Sequence, residues 1–209
     1  TFTYKFKLKQ SGTYWYHSHS GFQEQTGMLG AIVIEPKGRE RHPIEEDHVI
    51  VLSDWTSRNP HNLLKLLKQR NDFDNYHLPD FKKLLADIAE TDMKTAFDKR
   101  KMWNQMRMMP TDFTDLSGEN TFTYLINGKT TAANWAQIVK AGQRVKLRFI
   151  NASAQTIFDV RIPGLKMTVV STDGNDVAPV AIDDFRIGVA ETYDVIVTPT
   201  KDAHTIFAQ

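Results

Sequence analysis

The sequence predicts an all-β protein, a β-sandwich or Greek-key barrel interrupted by one helical insertion. Three observations carry that prediction. Short runs alternate apolar with polar residues, are rich in aromatic and β-branched side chains, and end at Gly, Pro, Asn or Asp, the pattern of half-buried strands closed by turns. Many such runs follow one another at short spacing, which indicates a sandwich or barrel. Between Asn59-Pro60 and Met109-Pro110 the period changes from that of a strand to that of a helix.

In chain order, residues 1–35 divide into three strands, Phe2–Leu8, Thr13–His19 and Gly30–Ile34. Gln10-Ser11-Gly12 and the loop from Gly21 to Gly27 separate them. Residues 36–46 are charged and carry Pro36 and Pro43, a linker composition. A strand opens at His48 and runs to Trp55. The helical insertion, about 61–109, begins with Leu63, Leu64, Leu66 and Leu67. It continues with Phe81, Leu84, Leu85 and Ile88 at i, i+3, i+4 and i+7, a single apolar stripe, and then with Met93, Ala96 and Phe97. Prolines 60, 79 and 110 punctuate it.

From Thr121 the period is that of a strand again. Thr121–Ile126 ends on Asn127-Gly128, two residues that tolerate positive φ and so mark a tight turn. Gln143–Ile150 places Val145, Leu147 and Phe149 on one face. Ile157–Ile162, Lys166–Ser171, Phe185–Val189, Tyr193–Val197 and Thr205–Phe207 complete the set, with breaks at Pro163-Gly164, Thr172-Asp173-Gly174-Asn175 and Pro199-Thr200-Lys201-Asp202. A strand pattern is under way at the first residue and another at the last, which predicts a segment of a longer protein; a signal peptide would lie outside it.

Composition narrows the function. The 209 residues carry a net charge of +1, without the concentrated basic face of a nucleic-acid or anionic-membrane binder. No apolar run has the length of a transmembrane helix. There is no cysteine, so neither a disulfide nor a thiolate metal site forms within this chain.

The chemistry-bearing stretch is Tyr14-Trp15-Tyr16-His17-Ser18-His19-Ser20-Gly21. In a strand, His17 and His19 fall on one face with Cα atoms roughly 6.6 Å apart, a geometry suited to two nitrogen ligands for one metal or for two adjacent metals. A bare His-x-His also occurs in ordinary aromatic strands. His42, His48, His61, His77 and His204 are scattered and read as surface or capping residues. Met102, Met106, Met108 and Met109 cluster at the end of the insertion; thioethers suit Cu(I), and they equally fill gaps between helices. The acidic pairs Glu45-Glu46 and Asp183-Asp184 read as solvated turns, and Lys5, Lys7 and Lys9 as protection of a strand edge.

Tyr14 through Gly30, with its His-x-His followed by Gly27-Met28-Leu29-Gly30, strongly resembles the second copper motif of the multicopper oxidases. Leu125–Lys129, Val145–Ser153 and Glu191–Val197 resemble the second cupredoxin domain of that family. Arg107–Asp112, Gly174–Val177 and Phe185–Asp194 are similar to stretches of its periplasmic copper-resistance branch, the copper-resistance protein A type. The resemblance implies a cupredoxin-like fold. It assigns residues 1–35 to the closing strands of a truncated first cupredoxin domain, 36–46 to a linker, and 47–209 to a second domain with the insertion at 61–109.

It further implies that His17 and His19 each hold one of the two type 3 coppers of a trinuclear cluster shared with a third domain, which reduces dioxygen to water. On this reading the partners are copper ions, dioxygen and the missing first- and third-domain parts of the parent chain, and the location is periplasmic. The parent would oxidise Cu(I) or a phenol-like substrate. The chain alone, with two of the cluster's histidines and no type 1 copper cysteine, would be inactive. The alternatives are a non-catalytic cupredoxin-fold copper-binding or scaffold protein and, less supported, a two-domain nitrite-reductase-like enzyme.

Overall fold

The computed structural model describes residues 2–69, 81–106, 121–200 and 203–209. These form two compact units, Thr1–Ser57 with Thr123–Gln209, and Arg58–Phe122.

The first unit is built from strands in three sheets. A hairpin pairs β1 (Gly12–His17) with β2 (Leu29–Ile34) in antiparallel register, His17 opposite Leu29 and Gly12 opposite Ile34. The six-stranded sheet has the order β4-β3-β5-β10-β7-β8. Its members are β3 (Glu46–Trp55), β4 (Thr123–Ile126), β5 (Val145–Asn151), β7 (Met167–Thr172), β8 (Asn175–Ile182) and β10 (Thr192–Val197). Its β3 and β5 run parallel, and the other neighbours are antiparallel. A three-stranded sheet has the order β11-β6-β9, from β6 (Phe158–Arg161), β9 (Asp184–Ile187) and β11 (Phe207–Ala208).

Alternation explains the core. Ile50 and Leu52 of β3, Val145, Leu147 and Phe149 of β5, and Val195 and Val197 of β10 turn one face of the large sheet inward. They meet Phe158 and Val160 of β6 and Phe185 and Ile187 of β9. The Phe149 and Phe185 rings meet edge to face at 5.3 Å, the arrangement favoured by the ring quadrupole. The sandwich predicted from the sequence is therefore present. The barrel alternative is not, because the sheets remain separate.

Three other expectations need correction. Phe2–Leu8 forms no strand, and Phe2, Tyr4, Phe6 and Leu8 are exposed; no described strand pairs with this segment, and an extended chain becomes a strand only by exchanging backbone hydrogen bonds with a neighbour. The sequence reading missed β8. It is an edge strand holding Pro179, mostly exposed, so it carries neither the apolar alternation of a core strand nor the full set of donors. Glu46 and Asp184 lie in β3 and β9 rather than in turns, where each adds to a ladder.

The second unit is helical, as expected: α1 (Pro60–Gln69), α2 (Phe81–Glu90) and α3 (Met93–Met106). Asn59 caps α1, its Oδ1 accepting from the His61 and Asn62 amides, and Pro60 supplies the first helical residue. Asp92 caps α3 through the Thr95 amide and hydroxyl. Asp87 of α2 and Arg100 of α3 form an ion pair of 2.6 Å. Met102 and Met106 fall at the end of α3, while Met108 and Met109, His77, and the Arg107–Asp112 stretch lie outside the described residues.

Candidate functional site

The candidate site lies at the far end of the β1–β2 hairpin. Strand β1 stops at His17, short of the predicted His19. The Ser18 hydroxyl donates to Gln23 Oε1 at 2.6 Å and accepts from the Ser20 amide at 3.1 Å, so this side chain turns the chain out of the ladder. His19 nevertheless stays on the predicted face. The two imidazole rings lie side by side, with centroids 4.5 Å apart. Trp15, two residues earlier on the same face, stacks on His17 at 4.4 Å with ring planes 17° apart.

The loop that follows closes on itself. Gln23 donates from its amide to Ser20 O, Thr26 to Phe22 O, Gly27 to Glu24 O and Met28 to Gln23 O. These bonds bring Glu24 Oε2 to 2.9 Å from His17 Nδ1. Among the described residues, no group of three or more His, Cys, Asp or Glu converges as a metal site. Three other histidines among the described residues lie elsewhere: His48 faces Glu46 at 3.2 Å, His61 sits in the first turn of α1, and His42 lines a surface cavity of about 470 Å³ with Arg144 and Lys166.

Two polar ties hold the hairpin to the large sheet. At its start, the Thr13 hydroxyl donates to Asp194 Oδ1 at 2.6 Å and accepts from Arg148 Nη1 at 2.7 Å. Arg148 also reaches Asp194 Oδ2 at 3.0 Å and grips both Asp47 oxygens at 2.7 Å. Burial pushes the Asp194 carboxyl above the usual aspartate range, against the opposing pull of Thr13 and Arg148. For Arg148, burial favours loss of the proton, but Asp47 and Asp194 more than reverse it and raise its pKa. Beside this cluster, Gly12 packs against the backbone of Gly174, where a Cβ would come within 2.8 Å of the Gly174 carbonyl oxygen.

At its other end, Gln25 Nε2 donates to the Asp54 carbonyl at 3.2 Å. The Asp54 carboxylate in turn accepts from the amides of Ala154, Gln155 and Thr156 and from the Thr156 hydroxyl. The segment between the hairpin and β3 is tied down as well, by Glu40 to Lys146, Arg41 to Asp176, and Glu45 to the Arg144 amide.

The sequence reading therefore found the histidine pair but missed the groups that hold it: Thr13, Glu24, Gln25, Asp54, Arg148 and Asp194. Glu24 and Gln25 stand inside the His-x-His to Gly-x-x-Gly stretch, and Arg148 and Asp194 inside the stretches that resemble the second cupredoxin domain. The others pair over distances that no local pattern records.

The described β-strands form a cupredoxin-like sandwich, and its hairpin carries two adjacent imidazoles at the loop end. The chain belongs to the multicopper oxidase family: multicopper oxidase family models match residues 84–209 and residues 1–39. It is 53% identical over 209 residues to copper resistance protein A of Escherichia coli and 50% identical over 208 residues to copper resistance protein A of Pseudomonas syringae pv. tomato. All of this chain and 34% of each of those relatives are covered, so it spans about a third of their length. It is 31% identical to the multicopper oxidase MmcO of Mycobacterium tuberculosis, over 94% of this chain and 36% of that protein.

The fold has solved counterparts. A blue copper oxidase from Nitrosomonas europaea superposes with a TM-score of 0.65 at 24% identity, covering 100% of this chain and 52% of that one. Fet3p, a multicopper oxidase that functions in iron import, gives 0.63 at 22% identity over 96% of this chain and 30% of its own.

Proposed function

We propose that this chain supplies two histidine ligands, His17 and His19, to the copper centre of a longer copper-resistance multicopper oxidase, and that its larger β-unit is the frame that holds them. The observation that carries the proposal is the pair of imidazole rings 4.5 Å apart at the end of a hairpin tied to the sheet on both sides. Imidazole suits copper, which stands at the top of the divalent affinity order. Two ligands fit part of a site rather than a whole one, which supports completion by further cupredoxin domains.

On this reading residues 1–35 close a first domain, 36–46 connect it, and 47–209 form the second domain with its insertion at 61–109. Copper bound there would supply the electron transfer that couples oxidation of Cu(I) or a phenol-like substrate to reduction of dioxygen to water. The chain's own residues do the positioning. Trp15 fixes the plane of the His17 ring, the Ser18 turn brings His19 beside it, and the two ties fix the hairpin. Relatives that carry the copper-resistance name support that role and, with the family resemblance, a periplasmic location.

The test is copper content and oxygen uptake of the full-length protein against a His17→Ala/His19→Ala variant. Loss of type 3 copper with loss of oxygen uptake is expected; unchanged copper loading would overturn the ligand assignment.

A further inference from the structure

The geometry points to Glu24 as the positioning carboxylate for His17, one that puts the ring proton on Nδ1 and leaves Nε2 as the nitrogen that binds copper. This rests on the reading of His17 as a copper ligand. His17 Nδ1 is shut off from water and makes no hydrogen bond, although Glu24 Oε2 lies only 2.9 Å away. At that distance what is missing is alignment, and the terminal torsion of a glutamate is soft enough to provide it.

A neutral imidazole carries one N–H and one lone pair. Placing the lone pair on Nδ1 would set it against a carboxylate oxygen with no proton between them and no water to intervene. With the proton on Nδ1 a charge-assisted bond forms instead. Nε2 then holds the lone pair, and the bond to the carboxylate makes it more basic. Ring rotation is hindered on both sides, by Trp15 at 4.4 Å and His19 at 4.5 Å.

Glu24 does not reach His17 by chance of a mobile loop. The residue before it, Gln23, accepts from the Ser18 hydroxyl, and the residue after it, Gln25, is bound to Asp54. The Glu24 carbonyl itself accepts from the Gly27 amide at 2.9 Å. The carboxylate is thereby delivered to the ring edge before any metal arrives, and the large sheet, through Asp54, contributes to its placement.

The experiment uses the full-length protein in the Glu24→Ala, Glu24→Gln and His17→Ala variants. Copper affinity is read by competition with a chelator, and the His17 tautomer by nitrogen NMR of the metal-free protein. Glu24→Ala is expected to weaken copper binding about 10- to 100-fold. Glu24→Gln, isosteric and still an acceptor, is expected to fall between it and the parent, which separates orientation from misfolding. The metal-free parent should show the Nδ1–H tautomer of His17. Parental copper affinity in Glu24→Ala alongside loss in His17→Ala would overturn the role of Glu24 and leave the ligand assignment standing. Parental affinity in His17→Ala would remove the ligand assignment itself. An Nε2–H tautomer in the metal-free parent would overturn the inference whatever the copper data.

Discussion

Thr13 and Asp194, 181 residues apart in the chain, are joined by a buried hydrogen bond of 2.6 Å from the Thr13 hydroxyl to Asp194 Oδ1. Through it the strand that ends in His17 is fixed to the central strand pair of the large sheet. The Thr192 hydroxyl adds a bond to the Thr13 carbonyl at 3.2 Å, so both side chain and backbone of Thr13 are engaged.

Thr13→Val keeps the shape of the side chain and removes the hydroxyl. Asp194 then loses one buried donor but retains Arg148, so the cost is expected at about 1–2 kcal/mol in chemical denaturation. Amide exchange along β1 should accelerate more than exchange along β5, because the hairpin loses its tie while the sheet keeps its ladder.

Arg148→Met is expected to cost more, about 3–5 kcal/mol, since removing one member of a buried ion pair leaves the other charge uncompensated. Asp194, 5% exposed, bears most of that cost; Asp47, 36% exposed, can be hydrated. A double-mutant cycle with Asp194→Asn checks the assignment, because the same Arg148→Met change should be milder where the buried charge is already gone.

Asp54→Ala leaves the amides of Ala154, Gln155 and Thr156 without their acceptor. These hydrogen bonds are part-buried and water can reach the freed amides, so a loss of about 1–2 kcal/mol is expected, with amide exchange faster at 154–156. Asp54→Asn, which keeps one acceptor oxygen, should lose less.

The helical unit should weaken in acid. The hydrogen bond from Arg100 to Asp87, supported by the charges of Arg100, Lys83 and Lys99, holds the Asp87 carboxyl below the usual aspartate range. A lowered folded pKa means stability that is present above about pH 4 and is lost as pH falls through the folded value. Helical circular dichroism followed on acidification should show that loss in the parent protein and a flatter profile in Asp87→Asn.

Much of this molecule was legible from local pattern. Period-two runs located β3, β5, β6, β7, β9 and β10 to within a few residues, because each presents one apolar face to the sandwich core. The stripe Phe81, Leu84, Leu85 and Ile88 located α2. The limits of that reading are physical too. Phe2–Leu8 has the alternation of a strand and lacks a described partner, whereas β8 has a partner and lacks the alternation.

By itself the sequence determined the all-β class, the helical insertion and the His17–His19 pair, each of which depends on residues near one another in the chain. Tertiary structure alone decided what holds that pair. Arg148 alternates with the apolar residues of β5 and looks like a surface cation, yet it is 5% exposed, covered by the hairpin and by Asp47 and Asp194. Such pairings join residues 46 to 181 positions apart, and a charge shows its partner only when the fold has brought the two together and excluded water from between them.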